Sequence, residues 1–317
     1  MGSETTEEIR LPVINFSDEK VKAEGGVEWR RTSKNVREAM EEYGCFIAKY
    51  EGVSKELREE VLKAVKELFE LPIERKKMNK YEKPFNGYVG ELRTLPLHES
   101  LGIDDATNFN QVQSFSHLMW PPEGNHHFSA TLHSFAKIAE ELDKMVTKMI
   151  FESYGVEKYY NSHADSITYL LRVLKSKAPQ SPDPTLCLVD HTDKSFTTMV
   201  YQDHINGLEL KTKNGQWIQV DNSSPSSFLV IAGDAIKAWS NDRIESPTHK
   251  VTIRGNEDRY SLAMFGFSNG IVEVPKELVD QNHPLRYKPF DHIGLLHFFR
   301  SKEGFNSKSP LKDYCAI

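Results

Sequence analysis

The apolar residues of this chain change their period partway along, and that change limits the fold more than any other feature. From about Ser33 to Gly155 they recur at helical spacing, and after Ser166 they alternate. The alternating part divides into eight predicted strands: Ile167–Leu174, Thr185–Val189, Phe196–Tyr201, Gly207–Thr212, Trp217–Val220, Ser227–Ala232, His249–Arg254 and Arg259–Phe267. Asn214-Gly215, between Leu208-Glu209-Leu210 and the strand from Trp217, predicts a hairpin with a type I′ turn, because both residue types accept positive φ. Strands this closely spaced leave no room for the helical crossovers of a parallel α/β sheet. They point to a sandwich or jelly roll.

The first half has a different logic. Val36, Ala39, Met40 and Tyr43 share a helix face, with Gly44 placed as a C-cap. Cys45–Ala48 then reads as a short strand. Ser54 caps a second helix carrying Leu57, Val61, Val65, Leu68 and Phe69, which Pro72 ends. The longest predicted helix carries Leu132, Phe135, Ala139, Leu142, Val146 and Met149 and stops at Gly155. Between Lys80 and Asn125, a segment rich in Pro, Gly and polar residues reads as a long lid or binding wall, with Phe85, Phe109, Phe115 and Trp120 set in it. A final helix carries Leu295, Leu296, Phe298 and Phe299. The expectation is one structural unit over 1–317, mainly β. A helical part (1–160) wraps a β core (161–317) that ends in a helix.

Composition excludes several functions. Forty Lys and Arg against 46 Asp and Glu give a net charge of −6, so no general basic field is available for nucleic acid. No apolar run approaches the roughly 20 residues of a membrane span. The acidic start lacks the basic and apolar regions of a secretory signal. Three widely spaced cysteines (Cys45, Cys187 and Cys315) make neither a disulfide framework nor a zinc motif, which fits a reducing compartment, the cytoplasm. Gly2 with Thr6 fits the myristoylation pattern, but no polybasic patch follows, and the segment reads as an exposed acidic leader. Cys315 stands one place too late for prenylation. The triplets from Asn15 and Asn222 match glycosylation sites that mean nothing without secretion.

His191-Thr192-Asp193 carries the chemistry. On an extended backbone residues i and i+2 share a face, so the imidazole and carboxylate converge. His249 opens a later strand. Two histidines and one carboxylate on one side of a metal, with other positions open, suit a non-haem Fe(II) oxygenase. Taken alone, such a pair is a surface coincidence more often than a site. Arg259-Tyr260-Ser261 raises its weight, because Arg259 and Ser261 again share a face. A buried arginine suits a carboxylate bidentately, and the serine adds a hydroxyl donor. In isolation Arg259 would be a structural salt bridge; beside a metal triad it describes a clamp for an iron-chelating diacid.

These motifs, with Asn206-Gly207-Leu208, Gly233-Asp234, Ser240-Asn241-Asp242-Arg243 and His249-Lys250-Val251, stand in the order and spacing of plant 2-oxoglutarate/Fe(II)-dependent dioxygenases, which the chain resembles over nearly its whole length. Leu11-Pro12-Val13-Ile14, Tyr43-Gly44-Cys45-Phe46 and Tyr287-Lys288-Pro289 extend the likeness. Within that family it is most similar to the AOP-like branch, near enzymes similar to deoxypodophyllotoxin synthase and steroidal alkaloid hydroxylases. The resemblance implies a double-stranded β-helix core flanked by helices, with Fe(II) held by His191, Asp193 and His249. It implies that Arg259 and Ser261 meet the far carboxylate of 2-oxoglutarate. Dioxygen is the oxidant, ascorbate serves as a reductant, and succinate and CO2 are released. The product would come from hydroxylation, demethylation, desaturation or ring closure of a small, largely apolar plant metabolite. The protein would be a monomer.

One departure matters. Relatives carry Asn-Tyr-Tyr after the first core strand, and the second Tyr hydrogen-bonds 2-oxoglutarate; aligned on Arg172, this chain reads Leu174-Lys175-Ser176. A serine is too short to replace a phenol directly. For the substrate, Arg172, Leu174, Phe265 and Phe267 fall where similar enzymes line their pocket, with Phe85, Phe115, Trp120 and Phe298 as looser candidates. Two other readings stay open at this stage. One is a non-catalytic jelly-roll module that binds metal or ligand, and the other is a metal-dependent hydrolase, which would have no use for Arg259-Ser261.

Overall fold

A computed structural model describes residues 10–221 and 224–317. Gly2, Thr6, Asn222 and Ser223 lie outside the described residues. Eleven strands build two sheets: β1 (Val13–Asn15), β2 (Cys45–Lys49), β3 (His98–Ile103), β4 (Ile167–Ser176), β5 (Thr185–His191), β6 (Thr197–Gln202), β7 (Leu208–Lys211), β8 (Trp217–Gln219), β9 (Ser227–Ala232), β10 (His249–Ile253) and β11 (Arg259–Ser268). A seven-stranded sheet runs β1-β2-β9-β6-β11-β4-β3, and a four-stranded one β5-β10-β7-β8. All eight strands read from the alternation after Ser166 are present, within two residues at each end.

The register of β11 decides which side chains meet. It pairs antiparallel with β4 along its whole length, Arg259 opposite Ser176, Ser261 opposite Leu174, Ala263 opposite Arg172 and Phe265 opposite Leu170. Strand β3 lies on the far side of β4, with His98 opposite Ser176 and Ser100 opposite Leu174. Because strand side chains alternate, one face collects His98, Ser100, Arg172, Leu174, Ser176, Arg259, Ser261 and Phe265. Cys45, Val200, Leu229, Ile231 and Ala263 extend that face and pack against Leu208 and Leu210 of the smaller sheet. The opposite face (Leu171, Val173, Met199, Tyr201, Phe228, Val230, Leu262 and Met264) joins Leu132, Phe135, Ala139, Leu142, Val146 and Met149 of the His126–Ser153 helix in the main core. That helix starts where Asn125 accepts a hydrogen bond from the Phe128 N–H and ends before Gly155, whose φ is +69°.

Two expectations need correcting. The segment from Lys80 to Asn125 is not one long loop: it holds β3 and a helix, Phe109–Met119, capped by Asn108. Val112, Phe115 and Met119 recur at helical spacing and bury one side, so the segment's turn residues concealed an ordinary amphipathic helix. The hairpin at Asn214-Gly215 forms, but its turn is not type I′. Only Gly215 has positive φ, at 86°. The Gly215 N–H donates to Thr212 O, and Thr212 N–H to Gln216 O, giving a three-residue loop with glycine in the left-handed position.

Candidate active site

His191 ends β5 and His249 begins β10, and the two are direct partners in the antiparallel register. Their rings therefore lie side by side, with centroids 4.3 Å apart. Asp193 follows two residues after the strand, its Oδ1 at 3.7 Å from Nε2 of each histidine. One donor atom from each of the three lies within 4.8 Å of the others, the one such group of His, Cys, Asp or Glu side chains that could hold a metal among the described residues. Both Nδ1 atoms face carbonyl oxygens, that of His191 at 2.8 Å from Val189 O and that of His249 at 3.1 Å from Pro247 O. A carbonyl can only accept, so Nδ1 carries the proton in each ring and the Nε2 lone pairs point at Asp193. Burial, and then the neighbouring His249, lower the pKa of His191 and keep it neutral. The second oxygen of Asp193 accepts from Thr198 Oγ1 at 2.8 Å, which fixes the carboxylate. Two neutral imidazole nitrogens and one carboxylate oxygen on one side fit Fe(II). Asp193 and His249 are each about 6% exposed and His191 29%, so His191 is the most exposed of the three.

Backbone packing holds this turn in place. Gly233 passes so close to Ser195 that an added Cβ would lie 1.9 Å from Ser195 O, so the position admits only glycine. The next residue, Asp234, accepts from Thr192 Oγ1 (3.1 Å) and Ser246 Oγ (2.8 Å) and pairs with Lys194 at 2.8 Å. Asp234 thus ties the residues flanking Asp193 to the chain leading into His249.

The arginine is where the alternation of β11 puts it. Arg259 is 3% exposed and has no carboxylate partner among the described residues. Its guanidinium donates from Nη1 to Ser261 Oγ (3.0 Å), from Nη2 to Gln202 Oε1 (2.6 Å) and from Nε to Ile205 O (3.1 Å). Burial pulls its pKa down to about 10, still far above neutrality, so a cation sits in the interior without a counter-charge. Because Ser261 Oγ accepts from the arginine, its own O–H is free to donate. Such a site suits an anion. Arg259, Ser261, Ser176 and the three metal donors line one cavity of about 60 Å³. Larger hollows of about 380 and 470 Å³ lie elsewhere and contain no metal donor set among the described residues.

Of the residues read as substrate contacts, Leu174 and Phe265 line this cavity. Phe267 continues the same face, with its ring 6.4 Å from Phe265 and 5.3 Å from His292. Arg172 stands one row beyond the clamp and donates to Phe85 O, Gly87 O (3.2 Å) and Ser100 Oγ (2.5 Å). Phe85 rests against Phe299 of the His292–Arg300 helix at 5.7 Å, and Phe298 of the same helix lies against Tyr314 at 5.3 Å. Phe115 and Trp120 both pack on Phe128, at 5.8 and 4.9 Å, as part of the main core, and neither is among the residues that line this cavity. Gln202, Thr198, His98 and Ser100 are the residues that sequence reading missed. Lys175 points off this face and pairs with Asp258 at 2.9 Å.

Comparison with known proteins agrees with this geometry. A family model for the 2OG-Fe(II) oxygenase superfamily matches residues 157–268, and one for the N-terminal region of non-haem dioxygenases in morphine synthesis matches 11–123. The chain is 41% identical over 315 residues to a probable 2-oxoglutarate-dependent dioxygenase, AOP1.2, of Arabidopsis thaliana, covering 97% of this chain and 96% of that one. Among solved structures it is similar to the rice dioxygenase for auxin oxidation (TM-score 0.80, 28% identity, 97% of this chain and 100% of that one). It is also similar to the Arabidopsis dioxygenase for auxin oxidation 1 bound to 2-oxoglutarate (TM-score 0.77, 27% identity, 86% and 99% covered). Two histidines and an aspartate that could hold a metal share one cavity with an arginine lacking a carboxylate partner, and the chain belongs to the plant 2-oxoglutarate/Fe(II)-dependent dioxygenases.

Proposed function

We propose that His191, Asp193 and His249 hold the iron of this dioxygenase, and that Arg259 and Ser261 take the far carboxylate of 2-oxoglutarate. The single observation behind this reading is that a triad from the small sheet and an arginine without a counter-charge from the large one share one cavity. Bound iron and 2-oxoglutarate, with dioxygen, supply the oxidising chemistry. The chain's own residues orient the co-substrate, hold both histidines in the tautomer that can ligate, and keep the clamp dry. Two facing sheets of this connectivity are read as a double-stranded β-helix, and 1–317 as one monomeric unit, supported by a core running from Ile14 to Cys315. No helix of the described residues is long and apolar enough to cross a membrane. Three buried, unpaired cysteines support a reducing, cytoplasmic setting.

The proposed substrate is a small plant metabolite with an apolar body, met by Leu174 and Phe265 on the cavity wall. Phe267 and Arg172, further along the same face, are the next candidates to meet it, and Phe85 and Phe298 are looser ones. The similarity to dioxygenases named for auxin oxidation supports a small-molecule substrate. Succinate release from 2-oxoglutarate, measured with ferrous iron against a panel of plant metabolites by mass spectrometry, tests the reading. A panel member that raises succinate release and returns as an oxidised product supports it. Binding of 2-oxoglutarate with no turnover on any member would favour a retained binding module instead.

A further inference from the structure

His98 is the cavity residue whose chemistry the reading above leaves unused. It lies 7% exposed on β3, in the same row as Ser176 and Arg259, and lines the cavity with the clamp and the metal donors. Nε2 of its ring is 3.1 Å from Ser100 Oγ, and Nδ1 has no hydrogen-bond partner among the described residues. Among the described residues Thr147 Oγ1 is the one sealed polar side-chain atom that lacks a partner, so the His98 Nδ1 is not sealed, and His98 itself lines the cavity.

The neighbours decide which nitrogen carries the proton. Arg172 Nη2 donates to Ser100 Oγ at 2.5 Å and, as an arginine, can only donate. Ser100 therefore accepts on that side and has its own O–H left to give. The acceptor within reach is His98 Nε2. A chain of donors runs Arg172 to Ser100 to His98, and each bond polarises the next. It ends in an Nδ1–H aimed into a cavity that already contains an uncompensated guanidinium. Such a donor, in such a place, is matched by an anion. The serine at 176 faces His98 across the strand pair and is too short to fill that space.

We infer that His98 is a third holder of the co-substrate, its Nδ1–H donating to a carboxylate oxygen of 2-oxoglutarate in the space that Ser176 leaves. The inference rests on the clamp reading above, and its failure can be told from the failure of that reading. Anaerobic protein with ferrous iron is titrated with 2-oxoglutarate, following the visible charge-transfer absorption of the keto acid on iron. His98→Ala is expected to weaken binding about tenfold, the loss of one charge-assisted hydrogen bond. Ser100→Ala, which leaves the imidazole in place but breaks the chain behind it, is expected to weaken binding by roughly threefold. Iron binding stays unchanged in both. In the unaltered protein loaded with diamagnetic zinc, the His98 Nδ1 nitrogen signal should shift when 2-oxoglutarate is added, which keeps the inference testable if His98→Ala does not fold. Parent-like affinity in His98→Ala, or no movement of that signal, overturns the inference. If Arg259→Ala also binds 2-oxoglutarate as the parent does, the clamp reading itself has failed.

Discussion

The two faces of the seven-stranded sheet are built from the same strands and do opposite work. On β4 and β11, Leu171, Val173, Leu262 and Met264 point outward into the main core beneath the His126–Ser153 helix. Arg172, Ser176, Arg259 and Ser261, at positions of opposite parity on the same two strands, point inward and are also buried. The outer face stabilises by removing apolar area from water. The inner face gives up that gain, since two guanidiniums are buried there without carboxylate partners. Alternation lets one strand serve both ends. A fold can keep a costly polar interior only where the same residues' neighbours pack well on the other side.

If that division holds, substitutions on the two faces should separate cleanly. The largest effect is expected from His191→Ala: iron binding at micromolar metal is lost, and succinate release falls more than about 100-fold, while the thermal midpoint of the metal-free protein barely moves. Metal analysis and unfolding scans on one preparation check both halves. On the outer face, Phe228→Ala removes a fully buried ring packed on Phe135 and Tyr201. It should cost about 3–5 kcal/mol of stability by chemical denaturation and leave 2-oxoglutarate affinity within roughly twofold. A large change in affinity would show that the faces are not independent. Arg259→Ala comes next. It should raise the 2-oxoglutarate requirement by roughly 10- to 100-fold and leave that for the prime substrate nearly unchanged, a split that steady-state titration of each reads directly.

How far the sequence reached follows from the same alternation. Arg259, Ser261 and Phe265 were legible as one face because parity within a strand is a local property. The His191–Asp193 pair was read through the same rule, but β5 ends at His191, and it is the turn held by Gly233 and Asp234 that brings Asp193 round. The three side chains do meet, but turn geometry rather than strand geometry brings Asp193 to the histidines. His98 and Ser100 could not be found this way. Their place depends on β3 pairing with β4, some seventy residues on, and β3 itself was concealed in a segment rich in Pro and Gly. Gln202 gave no signal, because only the β6–β11 register brings it to Arg259. Phe115 did carry one, the helical spacing from Val112 to Met119, which the segment's composition masked.

The smallest effect concerns protons, and it sets buried groups of opposite sign against each other. His292 is fully buried between Lys194 O and the Ser268 N–H, and burial pushes its pKa down to about 4. Burial, and then His292, push His163 down to about 3. Both are near 6.5 in the unfolded chain. As pH falls below 6.5 the unfolded state takes up protons that the folded state refuses, so the stability they contribute is present above 6.5 and lost on acidification. For His292 alone that is about 2 kcal/mol by pH 5. Asp143 works the other way. It is buried under the outer face, where it accepts from Tyr169 and Thr197, and burial raises it to about 6 against an ordinary value of 3.8. The folded state then holds a proton that the unfolded state releases, and that contribution is lost as pH rises through 6. The urea midpoint of the metal-free protein should therefore fall between pH 7.5 and pH 5, with Asp143 softening the fall. Asp143→Asn removes the softening, so its fall should be steeper than the parent's by about 1 kcal/mol. A parallel fall in the two proteins would mean that Asp143 is ionised at pH 5 within the fold, and that the outer face tolerates a charge after all.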